Sequence, residues 1–468
     1  MITKDVTCNF LTGLFSARRS GCRNAVFYVL ALLPPLYILY LITRYGIDVP
    51  FWDQWEFVLL LKKFKTGALS FPDLWAQHNE HRILFPKLIM LVLAAATGWD
   101  IRYEFYANFF LAGLTFVFLN LLSRKEAGGR CAPWFSVVSA FLVFSPVQVE
   151  NWTWGWQIQI FLGVLGAVVA VWSVSRWPAQ WKGLIVAMGA ALLASYSFNN
   201  GLLTWPVVGI LLLAQGQWKM RHIGLWAAAF IISVFLYYHG YQKPELHPSL
   251  LYPLNHPYDY IRYVFAYLGS PLAFSKREHA IVIGILLTCI LCIASVQVWR
   301  SGREGFQRLL PWLALALYSI LSAAVTGIGR LGFGVDQAMS GRYTTISTPF
   351  AVSVFVVAAY WIGDYLDLRK RLPGKLMAVV CFVSILFVFS YASSFSRSLK
   401  KFARTSAGMQ KAKLCLEDPG SAEDACLKIL YPDTAIVRER AKMLMDMGIL
   451  KWSRTPVPLS GKEGAQAP

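Results

Sequence analysis

The chain of 468 residues is 56% hydrophobic and only 15% charged, with a mean hydropathy of +0.49. Because a soluble fold of this length could not bury so much apolar surface, the composition excludes a soluble protein and indicates one embedded in lipid. In a soluble protein the net charge of +19 would suggest nucleic acid, but here it indicates basic cytoplasmic loops and contact with anionic lipid headgroups. We therefore expect membrane lipid, and no nucleic acid, as a partner.

The apolar runs lack the alternation of a β-strand, and helices satisfy their own backbone hydrogen bonds in lipid. They predict an all-α polytopic membrane protein with about 11 transmembrane helices. The first run is too long for a cleavable signal, and no small-residue cleavage site follows it. The predicted spans are residues 26–46, 105–122, 133–147, 156–175, 183–198, 201–215, 223–239, 279–298, 310–328, 345–363 and 376–393.

Basic loops predict the orientation, because cytoplasmic loops are rich in Lys and Arg. With a cytoplasmic N-terminus, five basic loops fall on the cytoplasmic side only if residues 83–98 do not cross the membrane. We therefore predict an interfacial or re-entrant helix over 83–98, another over 260–274, and a first extracytoplasmic loop over 47–104. The expected location is the bacterial cytoplasmic (inner) membrane.

The polar segment after the last span, residues 394–468, predicts a small helical tail with one amphipathic helix over 434–447. Its first part is basic, which favours the cytoplasm, whereas Cys415 and Cys426 could close an extracytoplasmic disulfide. Because orientation rules weaken after the final span, we expect the tail to be extracytoplasmic.

The first loop opens with Asp53 and Glu56, which share one helix face because they are three residues apart. Tryptophans on both sides would partly desolvate these carboxylates and strengthen either as a general base. The alternative is that they are ordinary interfacial charges beside tryptophan membrane anchors.

A run of consecutive polar residues follows in the same loop: His78, Asn79, Glu80, His81 and Arg82. Such a group can orient an acceptor hydroxyl, and Arg82 could bind a phosphate. The two histidines are three residues apart and lack an obvious third ligand, so we predict no metal site, although a divalent metal cofactor stays open.

Two later turns on the same predicted side carry further candidates. Arg330 and Arg342 lie among glycines, and cations kept on the outer side suggest phosphate recognition. The other turn, around residues 150–157, combines tryptophan rings with amide and carboxylate side chains. Because such rings stack on sugars and such polar groups bind hydroxyls, we predict sugar contacts there. The predicted acceptor or sugar contacts outside the first loop are Glu150, Trp154, Gln157 and Tyr343.

This layout resembles the GT-C superfamily of membrane glycosyltransferases, which use polyprenyl-phosphate sugars. The resemblance covers the topology of about residues 26–393, within a predicted transmembrane domain of residues 1–393, and it includes the acidic Asp53 just after the first span and a juxtamembrane helix at 83–98. It implies an inverting sugar transfer to a cell-envelope glycan, lipid or protein on the outer face, with Asp53 as general base. The acidic pair is not adjacent and no DxD motif is present, which leaves metal use and the identity of the base open.

The resemblance also implies roles for the other charged residues. Glu56 or Glu80 would position the acceptor or share the base role, and Arg82, Arg330 and Arg342 would stabilise the leaving phosphate. A polysaccharide polymerase or ligase is one alternative, because such enzymes use arginines and histidines of a late loop. A flippase or transporter of a lipid-linked glycan is the other, although no ionisable residue lies in the middle of a predicted span.

Overall fold

The computed structural model describes residues 21–126, 132–244, 247–273, 276–369 and 373–449, and within these ranges it contains α-helices and short 3-10 turns but no β-strand. The chain is therefore an all-α protein, as predicted. The helices are α1 Gly21–Tyr45, α2 Gln54–Lys65, α3 Phe71–Trp75, α4 Leu84–Thr97, α5 Arg102–Glu126, α6 Ala132–Val143, α7 Val149–Thr153, α8 Ile158–Arg176, α9 Trp181–Ser195, α10 Thr204–Gln215, α11 Met220–Tyr238, α12 Tyr252–Asn255, α13 Pro257–Gly269, α14 Arg277–Ser301, α15 Arg303–Arg330, α16 Gly341–Arg369, α17 Gly374–Cys415, α18 Asp424–Leu427 and α19 Thr434–Asp446.

Among the described residues, 8 helical segments are long and apolar enough to cross a membrane, which identifies a multi-pass membrane protein. They are Val26–Tyr45, Arg102–Ser123, Gly155–Arg176, Met220–Tyr238, Arg277–Ser301, Arg303–Phe333, Gly341–Leu366 and Met377–Cys415. Each corresponds to one predicted span. The three other predicted spans fall on α6, α9 and α10, which have 12, 15 and 12 residues and are shorter than the usual crossing length. The total of eleven therefore stays a prediction.

The chain divides into two compact units. The bundle unit comprises Met1–Asp48 and Ser70–Ala407, and the tail unit comprises Val49–Leu69 and Gly408–Pro468. This division differs from the predicted domains, which kept the whole first loop with the transmembrane part and began the tail at residue 394. The first loop is in fact shared, because α2 belongs to the tail unit whereas α3 and α4 belong to the bundle unit.

In the bundle unit, small residues let helices approach closely, as is common in membrane proteins. Gly166 of α8 faces the backbone oxygen of Ala190 in α9, and a Cβ atom at Gly166 would lie only 2.5 Å from that oxygen.

The helix predicted to be interfacial over 83–98 is α4, which has 14 residues. Lys87 of α4 is buried and donates to the backbone oxygens of Asp73, Leu74 and Ala76 at 2.8–3.2 Å, so it fixes the end of α3.

The last long helix, α17, has 42 residues and is therefore about 60 Å long, which exceeds the hydrocarbon thickness of a bilayer. Lys401, part of the basic run after the predicted last span, lies 3.3 Å from a carboxylate oxygen of Glu150. The basic part of α17 thus lies at the end of the bundle unit that carries the Glu150 turn.

The tail unit has its own apolar core. Buried side chains of α2 pack with buried side chains that follow α17 and lie on α18 and α19; they are Trp55, Val58, Leu61, Leu427, Leu430, Val437 and Leu444. Cys415 and Cys426 form a disulfide in this unit, and Asp433 caps α19 by accepting from the backbone of Ala435. Because α2 and the tail share one core, they lie on the same side of the membrane.

Cysteine labelling tests this shared location. We expect single cysteines at Ala68 and Lys428, both exposed in the tail unit, to react with an impermeant thiol reagent from the same side of sealed membranes. A cysteine at Gln217, in the turn between α10 and α11, should react only from the opposite side. Labelling of positions 68 and 428 from opposite sides would contradict the tail unit.

Candidate functional site

The polar loop over residues 77–82 is fixed in the bundle unit by hydrogen bonds to the end of α11 and to the segment that follows it. The side chain of Gln77 donates to the backbone oxygen of Gln242 at 2.6 Å and accepts from its backbone nitrogen at 3.1 Å. The buried Tyr237 hydroxyl donates to the backbone oxygen of Glu80 at 3.0 Å. Asn79 adopts the left-handed conformation (φ 49°), which lets the loop turn tightly. These bonds hold the Glu80 backbone in one position.

Arg82 completes this support instead of facing a ligand. It is only 5% exposed, and its three side-chain nitrogens donate to three backbone oxygens, those of Tyr237 (2.6 Å), Trp75 (2.9 Å) and His239 (2.5 Å). A guanidinium engaged with three carbonyls joins distant segments of chain, but it has little left to offer a phosphate. We therefore remove Arg82 from the predicted phosphate site and give it a positioning role.

Glu80 is the centre of a cluster of charged and titratable side chains from three parts of the bundle unit. Its Oε1 atom accepts a hydrogen bond from Arg330 at the end of α15. The Nε2 atom of His81 lies 3.4 Å from the same oxygen, and the Nε2 atom of His247 lies 3.5 Å from Oε2. All four side chains are between 11% and 18% exposed, so the cluster is partly shielded from solvent.

This environment sets the charge of Glu80. Burial acts most strongly on the carboxyl group and raises its pKa, but His81, Arg330 and His247 together outweigh burial and lower the pKa from 4.5 to about 2. Glu80 is therefore ionised at neutral pH. An anion stabilised in this way is a weak proton acceptor, so Glu80 is better suited to orienting cations than to general-base catalysis.

The two histidines are held differently. The Nδ1 atom of His81 accepts from the backbone of Asn199 at 3.3 Å, so a neutral His81 carries its hydrogen on Nε2, facing Glu80. The pKa of His247 is lowered because burial outweighs the attraction of Glu80. Pro248 fixes the position of His247 by packing on Gly332, where a Cβ atom would lie 2.5 Å from the proline ring. Gly332 thus allows a close side-chain contact.

Arg330, unlike Arg82, has side-chain nitrogens that can still donate hydrogen bonds to a ligand. Among the described residues, only its NH2 atom has a hydrogen-bond partner, Glu80. Its Nε and NH1 atoms are available to a second acceptor. The Cζ atom of Arg330 lies 5.8 Å from the centre of the Phe333 ring. A planar guanidinium held by a carboxylate on one edge can bind a phosphate oxygen with another edge. Arg330 is the predicted phosphate ligand that the geometry supports best.

A second polar group joins the Glu150 turn to the start of α16. Asn151 donates to the backbone oxygen of Gly341 at 2.8 Å and to the Thr345 hydroxyl at 2.5 Å. Gly341 packs on Glu150, where a Cβ atom would lie 3.2 Å from the Glu150 Cβ atom. Arg342, next to Gly341, therefore lies at the same end of the bundle unit as Glu150 and Lys401. The sequence predicted the turns at 150 and 330–342 on one side, and the structure brings them together.

Several predicted sugar contacts are instead part of the core. Trp154 and Gln157 are 6% and 1% exposed, and Tyr343 is 3% exposed and stacks on Tyr267 at 5.2 Å. Their burial explains the dense run of tryptophans as packing, so we leave these three residues out of the sugar site. His78 is less buried and contacts the buried Trp156, with ring centroids 4.9 Å apart.

The predicted acidic pair lies in the tail unit. Asp53 precedes the first turn of α2, and Glu56 lies within that turn. Glu56 accepts from the Tyr431 hydroxyl at 3.0 Å and lies 3.7 Å from the Arg440 guanidinium. Sequence reasoning missed Tyr237, Tyr431 and Arg440, and it gave His247 only as a candidate substrate contact without a specific pattern. A tyrosine ending a span reads as a membrane anchor, so no local signal could have found Tyr237.

No protein-family model, curated protein or solved structure matches the chain. Within the described ranges, no group of three or more His, Cys, Asp and Glu residues is arranged to hold a metal ion. The site is thus defined by its own geometry.

The depressed pKa of Glu80 predicts how stability depends on pH. Because the folded pKa lies below the ordinary value, ionised Glu80 stabilises the fold above about pH 5, and this contribution is lost as pH falls towards about 2. The melting temperature of the wild type should therefore exceed that of Glu80→Gln by a margin that shrinks steadily below pH 5. A margin independent of pH would contradict the ionised, stabilising carboxylate.

A double-mutant cycle tests the Glu80–Arg330 pair. We expect Glu80→Gln and Arg330→Gln each to destabilise the protein, and the double variant to cost less than their sum by about 1–3 kcal/mol, because each single variant leaves a buried charge unpaired. Asp100 and Arg102, whose guanidinium is 53% exposed, form the control pair, with an expected coupling below about 1 kcal/mol. Equal coupling in both cycles would contradict a buried pair.

Proposed function

We propose that the chain is a GT-C-type glycosyltransferase that moves a sugar from a polyprenyl-phosphate donor to a cell-envelope acceptor on the outer face of the membrane. The Glu80–Arg330–His247 cluster carries the proposal. Charged groups from three distant segments converge at one end of an apolar bundle, where a donor with a lipid tail would present its phosphate. Convergent titratable groups of this kind are typical of functional sites.

The chemistry assigns separate roles to the cations and to the acids. As the bond between sugar and phosphate breaks, negative charge grows on the leaving phosphate, and Arg330 would stabilise it. Glu80 holds Arg330 and His247 on its two carboxylate oxygens. Asp53, in the tail unit, remains the proposed base that accepts the proton of the acceptor hydroxyl, as the resemblance to GT-C enzymes implies.

The outer face is supported by the disulfide. Cys415–Cys426 lies in the same unit as Asp53, and disulfides persist in oxidising compartments outside the cytoplasm. A donor anchored in the bilayer can reach such a site sideways, without a nucleotide.

Removing the proposed base tests the reaction. We expect Asp53→Asn to reduce sugar transfer at least about 100-fold in membranes supplied with lipid-linked donor, because general-base catalysis typically contributes this much. Asp446→Asn, an exposed carboxylate on α19, should keep activity within about twofold of wild type. Full transfer by Asp53→Asn would overturn the assignment of the base.

Arginine substitution tests the phosphate site. We expect Arg330→Gln to weaken donor binding by about 10-fold or more, because a charge-assisted phosphate contact is lost. Arg277→Gln removes a more exposed arginine at the start of α14 and should leave donor affinity unchanged. The measurement is the donor concentration that gives half-maximal transfer. Equal effects of the two substitutions would contradict a phosphate role for Arg330.

A further inference from the structure

The residue before the proposed base has an unusual backbone. Trp52 has φ of 49°, in the left-handed region that a tryptophan rarely adopts. Its backbone nitrogen donates to the backbone oxygen of Leu430, at 2.8 Å, in the tail segment. A strained conformation persists only where surrounding contacts impose it, and such strain clusters at functional sites. The tail segment therefore contributes to the turn from which Asp53 enters α2.

The first turn of α2 is held by the tail as well. Glu56 receives a hydrogen bond from the Tyr431 hydroxyl, and the burial of Tyr431 together with Glu56 raises the tyrosine pKa to about 12. Arg440 of α19 is 8% exposed, and its guanidinium donates to the backbone oxygen of Trp55 at 3.3 Å. Glu56 is thus an anchor between α2 and the tail, which separates its role from that of Asp53.

The tail segment is itself braced. The Cys415–Cys426 disulfide closes a short loop. Arg438 of α19 binds this loop through the backbone oxygen of Ala422 at 2.9 Å and the carboxylate of Asp424 at 2.6 Å. At the other end of α2, Lys65 donates to the backbone oxygen of Met447 at 3.0 Å. Both ends of α2 are therefore bound to a cross-linked scaffold.

We infer that the C-terminal tail is a positioning element of the active site: Leu430, Tyr431 and Arg440 impose the conformation of residues 52–56 and so aim Asp53 at the acceptor. This inference rests on the proposed function, because Asp53 is the proposed base. Tyr431 and Arg440 are positioning residues that act through Glu56 and the α2 backbone. Misplacing a catalytic group by about 1 Å can cost about 100-fold in rate, so a small loosening is enough to be measured.

The experiment combines hydrogen–deuterium exchange with kinetics on the full-length protein in lipid nanodiscs. The variants are Tyr431→Phe, which removes one hydroxyl, and Arg440→Met, with Arg440→Lys as the conservative change. Lys442→Met, an exposed substitution on the same helix, is the matched control. We expect exchange of residues 51–58 to rise about 10-fold in the first two variants, while α8 keeps wild-type exchange.

In the same variants we expect kcat to fall about 10-fold, while the KM for the donor stays within about twofold of wild type, because the defect lies in orientation and not in donor binding. Arg440→Lys should recover part of the lost kcat. Unchanged exchange over 51–58, or raised exchange with unchanged kcat, would overturn the positioning role. The proposed function fails separately, through an active Asp53→Asn variant, which leaves the exchange result standing as a property of the tail unit.

Discussion

The contact between Glu80 and Arg330 governs the rest of the bundle-unit site. Removing both charges from water costs several kcal/mol per ion. The attraction between the two ions offsets this cost only when their geometry is fixed and their remaining donors and acceptors form hydrogen bonds. The surrounding structure supplies this fixation. Tyr237 and Arg82 hold the loop that carries Glu80, and Pro248 packed on Gly332 brings His247 to the second carboxylate oxygen. A loop without these supports could not hold a partly buried carboxylate beside Arg330 and His247.

Much of the fold could be predicted because membrane helices leave a strong local signal. Eight long apolar segments were found where hydropathy and length placed them, and the polar candidates at 80, 150 and 330 were expected on one side from the distribution of basic loops. The division into units could not be predicted, because it depends on contacts between α2 and a segment more than 350 residues later, such as Tyr431 to Glu56. No local pattern encodes such a pairing.

The candidate site shows the same limit at the level of single residues. Arg82 and Arg330 were both predicted to bind phosphate, and nothing in the sequence shows which of the two stays available for it. Their difference arises from burial and from the partners that the fold supplies, since three carbonyls surround Arg82 whereas a carboxylate holds only one edge of Arg330. Likewise the sequence around Trp154 suggests a surface ring that could stack on a sugar, yet the structure buries this residue to 6% exposure. Composition finds candidate residues, and long-range packing assigns their roles.

The central claim is that this protein transfers a sugar from a lipid-linked donor. Its most direct test is the glycan and lipid profile of a deletion strain that does not make the protein. We expect one sugar to be missing from an envelope glycan, lipid or protein, and its polyprenyl-phosphate form to accumulate. Wild-type protein should restore the profile, whereas Asp53→Asn should not. A deletion strain with unchanged glycans and no accumulated donor would contradict the claim.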